Sequence, residues 1–299
     1  MDNKIKESYR SEIENSGIFS DSEVAIYCDQ DVFNKHKFYI QLTESLSPAF
    51  SDKISQQELL NISEISYFFL RALLAFDTII DDGVTSNLKL GVFNYETALT
   101  KLQANYPNDD KLWNALKEIK KKYYKATELE KRFYLEERSL DLDEFVYIAE
   151  GKSIFVILIP LMLGQSSGNP NNVEKLQKSL LNFHVGLQVL DDIEDFITDI
   201  DKSQITYANS STKKYLSNLG IDSDSLNGKM LYKYFFASGL ALEHLDLAER
   251  HFTESLQEVE NMPVNKFKSH IFTSGINQVN SLREEVKRLL PKATTTSTV

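Results

Sequence analysis

Two dense clusters of carboxylates are the residues of this 299-residue chain best suited to chemistry. The first reads Asp77-Thr78-Ile79-Ile80-Asp81-Asp82. The second reads Gln188-Val189-Leu190-Asp191-Asp192-Ile193-Glu194-Asp195 and continues to Asp199. On a helix, residues four apart share a face and lie about 6 Å apart along the axis. Asp77 therefore projects with Asp81, Asp191 with Asp195, and Asp195 with Asp199. Capping does not account for the pattern. Asp favours helix N-termini, where the dipole is positive, yet Asp77, Asp81 and Asp82 close a long helical pattern and the second cluster lies within an apolar one. Carboxylates this dense beside a core need neutralising, and the chain has only seven arginines. Divalent cations would serve, and Mg²⁺ prefers oxygen ligands, commonly a few carboxylates, waters and substrate phosphates.

Other metal chemistry fits less well. The five histidines (His36, His184, His244, His251, His270) are scattered, and none lies three residues after a glutamate. That excludes the Glu-x-x-His pair of di-iron bundles, and His-Glu-x-x-His is absent too. A glycosidase-type acid and base pair would not explain two clusters on two apolar helices. Mg²⁺-binding helix ends facing each other across an apolar interior suit the ionisation of an allylic prenyl diphosphate. The metals would hold the departing diphosphate, and a dry pocket would keep water from the carbocation. Aromatic faces stabilise cations, and the chain has 18 Phe and 14 Tyr.

The elements that must position these groups are helices. Gly and Pro number 11 and 6, about half the usual share or less, which suits long helices rather than sheets joined by tight turns. Apolar spacing predicts helices over 36–46, 54–82, 90–105, 110–138, 143–164, 173–199, 212–219, 224–260 and 264–290. Ile62, Ile65, Phe69, Leu73, Phe76 and Ile80 form one face, and Leu176, Leu180, Phe183, Leu187 and Leu190 another. Gly83 stands just past the end of its helix, as a C-terminal stop, and residues 166–172 read as a loop. The expectation is an all-α protein with a polar segment over 1–35 that begins irregularly, one domain over 36–290 and a disordered tail over 291–299. The net charge of −11 without a basic stripe argues against nucleic-acid partners. The lone Cys28 excludes an internal disulfide and suits a reducing compartment. The longest apolar run, Ile154 to Leu163, is ten residues with Pro160 inside it, half of what a membrane span needs. The start has no apolar signal core, so a soluble, cytoplasmic protein is expected.

At these residues the chain resembles the squalene/phytoene synthase branch of the class I isoprenoid synthases. Phe38-Tyr39 with Leu46-Ser47-Pro48 resembles that branch's entry helix. Leu70-Arg71-Ala72 leading to Asp77 and Asp81-Asp82 resembles its first aspartate motif, and Asp191-Asp192-Ile193-Glu194-Asp195 its second. Ile205-Thr206-Tyr207 and Leu219-Gly220-Ile221 resemble the following loop and helix. The order of these pieces and the 114-residue gap between Asp77 and Asp191 make the set specific. The resemblance implies an all-α bundle around a central apolar cavity and three Mg²⁺ ions around a diphosphate. Asp77, Asp81, Asp191 and Asp195 are the implied metal ligands, with Asp82, Asp192 and Glu194 behind them. Tyr147 matches a helix tyrosine near the cavity.

The sequence also departs from that branch. Ile80 stands where an acid is usual, Leu190 where an arginine is, and Leu74 and Ala75 where bases are frequent. Gly151-Lys152-Ser153 instead resembles the Lys-Thr of chain-elongating prenyltransferases, whose lysine touches diphosphate. Gln188 with Asp191, Asp192 and Asp195 also matches those enzymes. Their Arg-Arg-Gly after the first motif is missing, since Gly83-Val84-Thr85-Ser86-Asn87 holds no base. Lys152, Arg71, Lys202, Tyr207 and Gln188 are the candidate diphosphate contacts, with Lys213 and Lys214 as further cations. The expected activity is a Mg²⁺-dependent terpene synthase acting on farnesyl or geranylgeranyl diphosphate. One alternative is head-to-head condensation of two prenyl diphosphates, with NADPH if squalene-type. Another is a silent isoprenoid-binding protein. Peripheral membrane association and a homodimer are both compatible with the sequence.

Overall fold

The computed structural model describes residues 1–50, 54–136 and 138–289, and among them every regular element is helical. The chain opens with α1 (Asp2–Asn15), α2 (Asp21–Tyr27), α3 (Gln30–Lys35) and α4 (Lys37–Leu46). The helical start differs from the irregular one expected. Its polar average hides an i, i+4, i+8 stripe, Ile5, Tyr9 and Ile13, and all three are buried. One such stripe suffices to dock a helix on a core. The expected tail, 291–299, lies outside the described residues.

The long α5 (Gln56–Asp82) starts at a capping box, in which Ser55 and Glu58 satisfy each other's backbone N–H groups. It ends at Gly83, whose φ of 68° is the left-handed cap expected there. Ile62, Ile65 and Phe69 are buried, while Leu73, Phe76 and Ile80 towards the acidic end are half-buried. α6 (Leu88–Asn105) and α7 (Asp110–Glu136) follow. The predicted helix over 143–164 is two helices, α8 (Leu142–Ser153) and α9 (Leu158–Ser167), with a 3₁₀ segment at Ile154–Ile157 between them. Pro160 explains the break, because it lacks an N–H and its ring crowds the carbonyl four residues back.

The predicted helix over 173–199 also divides, into α10 (Val173–Glu194) and α11 (Phe196–Asp201). α12 (Tyr207–Asn218) is followed by α13 (Gly228–Ala237) and α14 (Leu240–Glu258), separated at Gly239 with φ of 91°. α15 (Asn265–Ile271) and α16 (Asn277–Leu289) are joined through a π-helical turn, Phe272–Ile276.

Packing sorts these elements into two compact units. The first comprises Met1–Lys120, Phe155–Lys178 and Val259–Phe267. The second comprises Lys121–Ile154, Ser179–Glu258 and the chain from Lys268 onward. In the first, α5 packs on α1, α4, α6 and α9. Gly91 on α6 admits the Phe76 ring, which would stand 2.6 Å from an added Cβ. In the second, Phe252 on α14 fills the space left by two glycines, Gly186 on α10 and Gly275 in the π-helical turn. Burying one such phenyl contributes about 1.5–3 kcal/mol. The stretches Gln56–Ile80 and Leu142–Ser167 are long and apolar enough to cross a membrane, which the longest uninterrupted apolar run does not reveal. In both, 56% of the apolar window is buried within the protein, as in a core helix.

Candidate active site

The second acidic motif sits where α10 ends, and its carboxylates take different roles. The helical phase of α10 turns Asp192 inward with Val189, Leu190 and Ile193, leaving it 4% exposed. Two donors meet it there. Gln188 Nε2, one turn earlier, donates to Oδ1 at 3.1 Å, and the backbone N–H of Tyr207 donates to Oδ2 at 3.1 Å. Tyr207 is the first residue of α12, so Asp192 closes the positive end of that helix. Burial pushes the Asp192 carboxyl up to about 7, with the neighbouring Asp199 and Asp191 charges adding to the rise and both hydrogen bonds opposing it.

Asp191, Glu194 and Asp195 are exposed. Asp195 is the bend between α10 and α11. Its N–H donates to Asp191 O at 2.8 Å, and its carbonyl accepts from Asp199 N–H at 2.9 Å. Its side chain makes no capping bond to α11, so this exposed carboxylate is not spent on the local backbone. Glu194 accepts a hydrogen bond from Gln278 Nε2 at 2.6 Å. Asp199 is buried.

Two aromatic contacts fix the frame around Asp192. The Tyr207 ring stacks on Phe145 of α8, with centroids 5.3 Å apart, and lies 4.8 Å from the His244 ring. Ser210 Oγ accepts from the N–H of Leu140, the residue before the Asp141 cap of α8. The start of α8 is thereby tied to the helix that holds Asp192.

Lys152 occupies the last turn of α8, where the helix dipole favours a cation. Its Nζ donates to Glu130 Oε1 of α7 at 3.0 Å. Tyr147, on the same helix, is exposed, with Lys122 Nζ 6.0 Å from its ring centroid. Lys202, Lys213 and Lys214 are exposed, and Lys213 lies 3.8 Å from Asp224.

The first motif closes α5. Asp77 is half-buried, and the next residue, Thr78, turns its hydroxyl back to Leu74 O at 2.8 Å. The side chains of Asp81 and Asp82 lie outside the described residues. Arg71 corrects an expectation. Instead of standing open to a diphosphate, its guanidinium is 5% exposed within the first unit. It donates to Tyr27 O at 3.0 Å and Tyr67 Oη at 3.4 Å, and lies 5.0 Å from the Tyr9 ring centroid. The buried N-terminal helices occupy it.

Among the described residues no three His, Cys, Asp or Glu side chains converge as a closed metal site. The donor set nonetheless fits Mg²⁺, which is usually held through one or two carboxylates with waters and substrate phosphates rather than in an all-protein cage. Asp191 and Asp195, exposed and one turn apart, offer such hard oxygen ligands.

Sequence reasoning did not nominate Gln278 or Glu130, the partners of Glu194 and Lys152. They lie 84 and 22 residues away in the chain, beyond the reach of any local pattern.

No family model matches the chain, and no curated protein matches it in sequence. Solved structures do match the fold. Heptaprenyl diphosphate synthase from Staphylococcus aureus superposes with a TM-score of 0.71 at 12% identity, covering 96% of each chain. Octaprenyl pyrophosphate synthase from Helicobacter pylori gives 0.66 at 18% identity, covering 95% of this chain and 96% of its own. A polyprenyl synthase from Caulobacter crescentus, complexed with calcium and isoprenyl diphosphate, gives 0.64 at 13%, covering 91% and 95%. The chain therefore has the all-α fold of these synthases. All three are polyprenyl synthases by name, rather than members of the squalene/phytoene branch that the motifs resemble.

Proposed function

We propose that this protein is a Mg²⁺-dependent enzyme that ionises an allylic prenyl diphosphate, with carboxylates of its acidic motifs as metal ligands. The observation that carries the reading is the division of labour in the second motif. Asp192 is buried and anchored by Gln188 and Tyr207, while Asp191 and Asp195 stand exposed on the same helix end. A merely solvated acidic face would have no need of the buried, hydrogen-bonded member.

Asp191 and Asp195 would hold Mg²⁺, which supplies charge neutralisation to the departing diphosphate when bound, and Asp77 in the first unit is a further candidate ligand. Lys152 donates hydrogen bonds to the diphosphate oxygens as the allylic C–O bond breaks and its electron pair leaves with oxygen. Donors that meet developing charge lower the barrier more than those that bind only the ground state. Asp192 keeps the α10 terminus in register by binding the start of α12. The resulting allylic cation cyclises or rearranges and loses a proton to the released diphosphate, giving a terpene hydrocarbon.

This terpene synthase reading rests on the segment after Gly83, which holds no base over 84–87, and on the burial of Arg71. Both leave the first motif short of cations for a second diphosphate substrate. Chain elongation is the second reading. It is favoured by the Gln188 to Asp192 hydrogen bond inside a Gln-x-x-Asp-Asp-x-x-Asp pattern and by the polyprenyl synthases that share the fold.

Incubation with geranyl, farnesyl and geranylgeranyl diphosphates and Mg²⁺ tests the proposal, with and without isopentenyl diphosphate or NADPH. Pyrophosphate release and product mass are the readouts. An unchanged carbon count supports terpene synthesis, five added carbons or multiples of five support elongation, and a doubled count supports head-to-head condensation. Binding without release in every arm would overturn the proposal in favour of a silent isoprenoid carrier.

A further inference from the structure

Lys152 and Glu130 are part of a paired arrangement on α7 and α8. Gly151 of α8 lies directly over Ala126 of α7, so close that a β-carbon on Gly151 would overlap the alanine methyl. On either side of this contact an ion pair crosses between the helices. Lys152 meets Glu130 at 3.0 Å, and Lys122 meets Glu150 at 2.5 Å. The residues flanking Gly151 thus reach the residues one turn before and one turn after Ala126. The two pairs have opposite polarity, with the lysine on α8 in one and on α7 in the other.

Their surroundings differ. Glu150 and Lys122 lie within regular helix, whereas Lys152 stands one residue before α8 gives way to the 3₁₀ segment Ile154–Ile157. Short 3₁₀ stretches within a longer helical run frequently mark hinges. The Lys152 side chain is 20% exposed and that of Glu130 31%, with Glu130 Oε2 itself shielded from solvent, so the pair is partly buried. An ion pair in such a setting contributes about 0.2–1 kcal/mol. A doubly or triply charged anion brought to Nζ competes with the single carboxylate for the ammonium.

We propose that Glu130 is the positioning residue for Lys152: it holds the ammonium aimed in the resting protein and yields it to a diphosphate when one binds. The inference rests on the functional reading above and deepens it, since it assigns a resting counter-ion to the diphosphate-binding lysine. Binding then exchanges one anion for another at Nζ.

Inorganic pyrophosphate, with and without Mg²⁺, is the probe, and titration calorimetry the measurement. Glu130→Gln removes the competing charge and is expected to tighten pyrophosphate binding about 2- to 5-fold, the range set by a pair of this strength. Lys152→Gln is expected to weaken it at least about 10-fold. If Glu130 acts through Lys152, the double variant should match Lys152→Gln within about twofold. Glu150→Gln deletes an equal charge two residues from Lys152 and should leave affinity within about twofold of the parent. In turnover, Glu130→Gln should lower KM for the allylic diphosphate without raising kcat, a split that loss of a purely structural contact would not produce. Weaker or unchanged binding in Glu130→Gln overturns the inference, as does equal tightening in Glu150→Gln or tightening that persists in the double variant. An unaltered affinity in Lys152→Gln also overturns it. If Asp191→Asn still abolishes the Mg²⁺-dependent part of binding in that case, the wider functional reading survives. Thermal unfolding midpoints within a few degrees of the parent establish that each variant is folded.

Discussion

In the first unit the acidic motif closes α5 against the left-handed Gly83, whereas in the second it straddles a break in the helix at Asp195. The spacing of aspartates is similar and the construction is not. α5 runs unbroken through Asp77, and Thr78 turns its hydroxyl onto its own helix. At the end of α10, one carboxyl is drawn inward as a keystone between two helices, and the kink that follows leaves Asp195 outside. A repeated Asp pattern therefore does not assign a role to each aspartate. Position relative to the buried face does.

The largest effects should come from the carboxylates assigned to metal. Asp195→Asn and Asp77→Asn are each expected to lower Mg²⁺-dependent pyrophosphate release at least about 100-fold, as loss of transition-state charge stabilisation does. Full activity in Asp77→Asn beside a dead Asp195→Asn would reduce the pair to one working motif. The keystone role predicts a different signature at Asp192. Asp192→Leu leaves the Tyr207 N–H and the Gln188 amide without their acceptor, at a cost of about 1–3 kcal/mol in urea unfolding. Asp192→Asn retains an acceptor oxygen for that N–H and should lose less. Equal destabilisation by both variants would contradict the keystone.

Packing sharpens the same contrast. Gly186→Ala drives a methyl into Phe252, which is fully buried and also confined by Gly275. About 1–3 kcal/mol of destabilisation is expected. Gly91→Ala meets the Phe76 ring, half-buried beside Asp77, which has room to swing. Its cost should be smaller, and a larger one measured by the same unfolding experiment would show that the end of α5 is as tightly held as α10.

The smallest effect concerns acid. Burial lowers the imidazoles of His36 in the first unit and His184 in the second to about 4, from an ordinary 6.5. Below about pH 6.5 the unfolded chain takes up protons that the native one refuses, so stability falls as pH drops towards 4. Above that range these residues contribute no pH dependence. His184→Gln should flatten the loss measured as urea midpoint against pH, and a curve parallel to the parent's would refute the assignment.

Much of the fold could be read from local pattern. The capping box at Ser55 and Glu58, the stop at Gly83 and the apolar stripes of α5 and α10 are all set by residues within a few turns of one another. The misreadings have local causes as well. Averaging polarity over the first 35 residues hid the stripe of Ile5, Tyr9 and Ile13. Continuous apolar spacing masked the breaks at Ile154–Ile157, Asp195 and Gly239. Arg71 was legible as a cation near an acidic motif, but its burial depends on Tyr9 of α1 and Tyr27 of α2 arriving from elsewhere.

Helix type, the approximate helix ends and the two acidic motifs follow from sequence alone, because hydrophobic period, capping chemistry and residue spacing act over one or two turns. Which aspartate is buried, which lysine is already paired and which arginine is consumed by the core were decided only by tertiary packing. Those outcomes depend on donors and anions brought from 15 to 84 residues away, and the free energy of a charge is governed by the groups and water around it rather than by its neighbours in the chain.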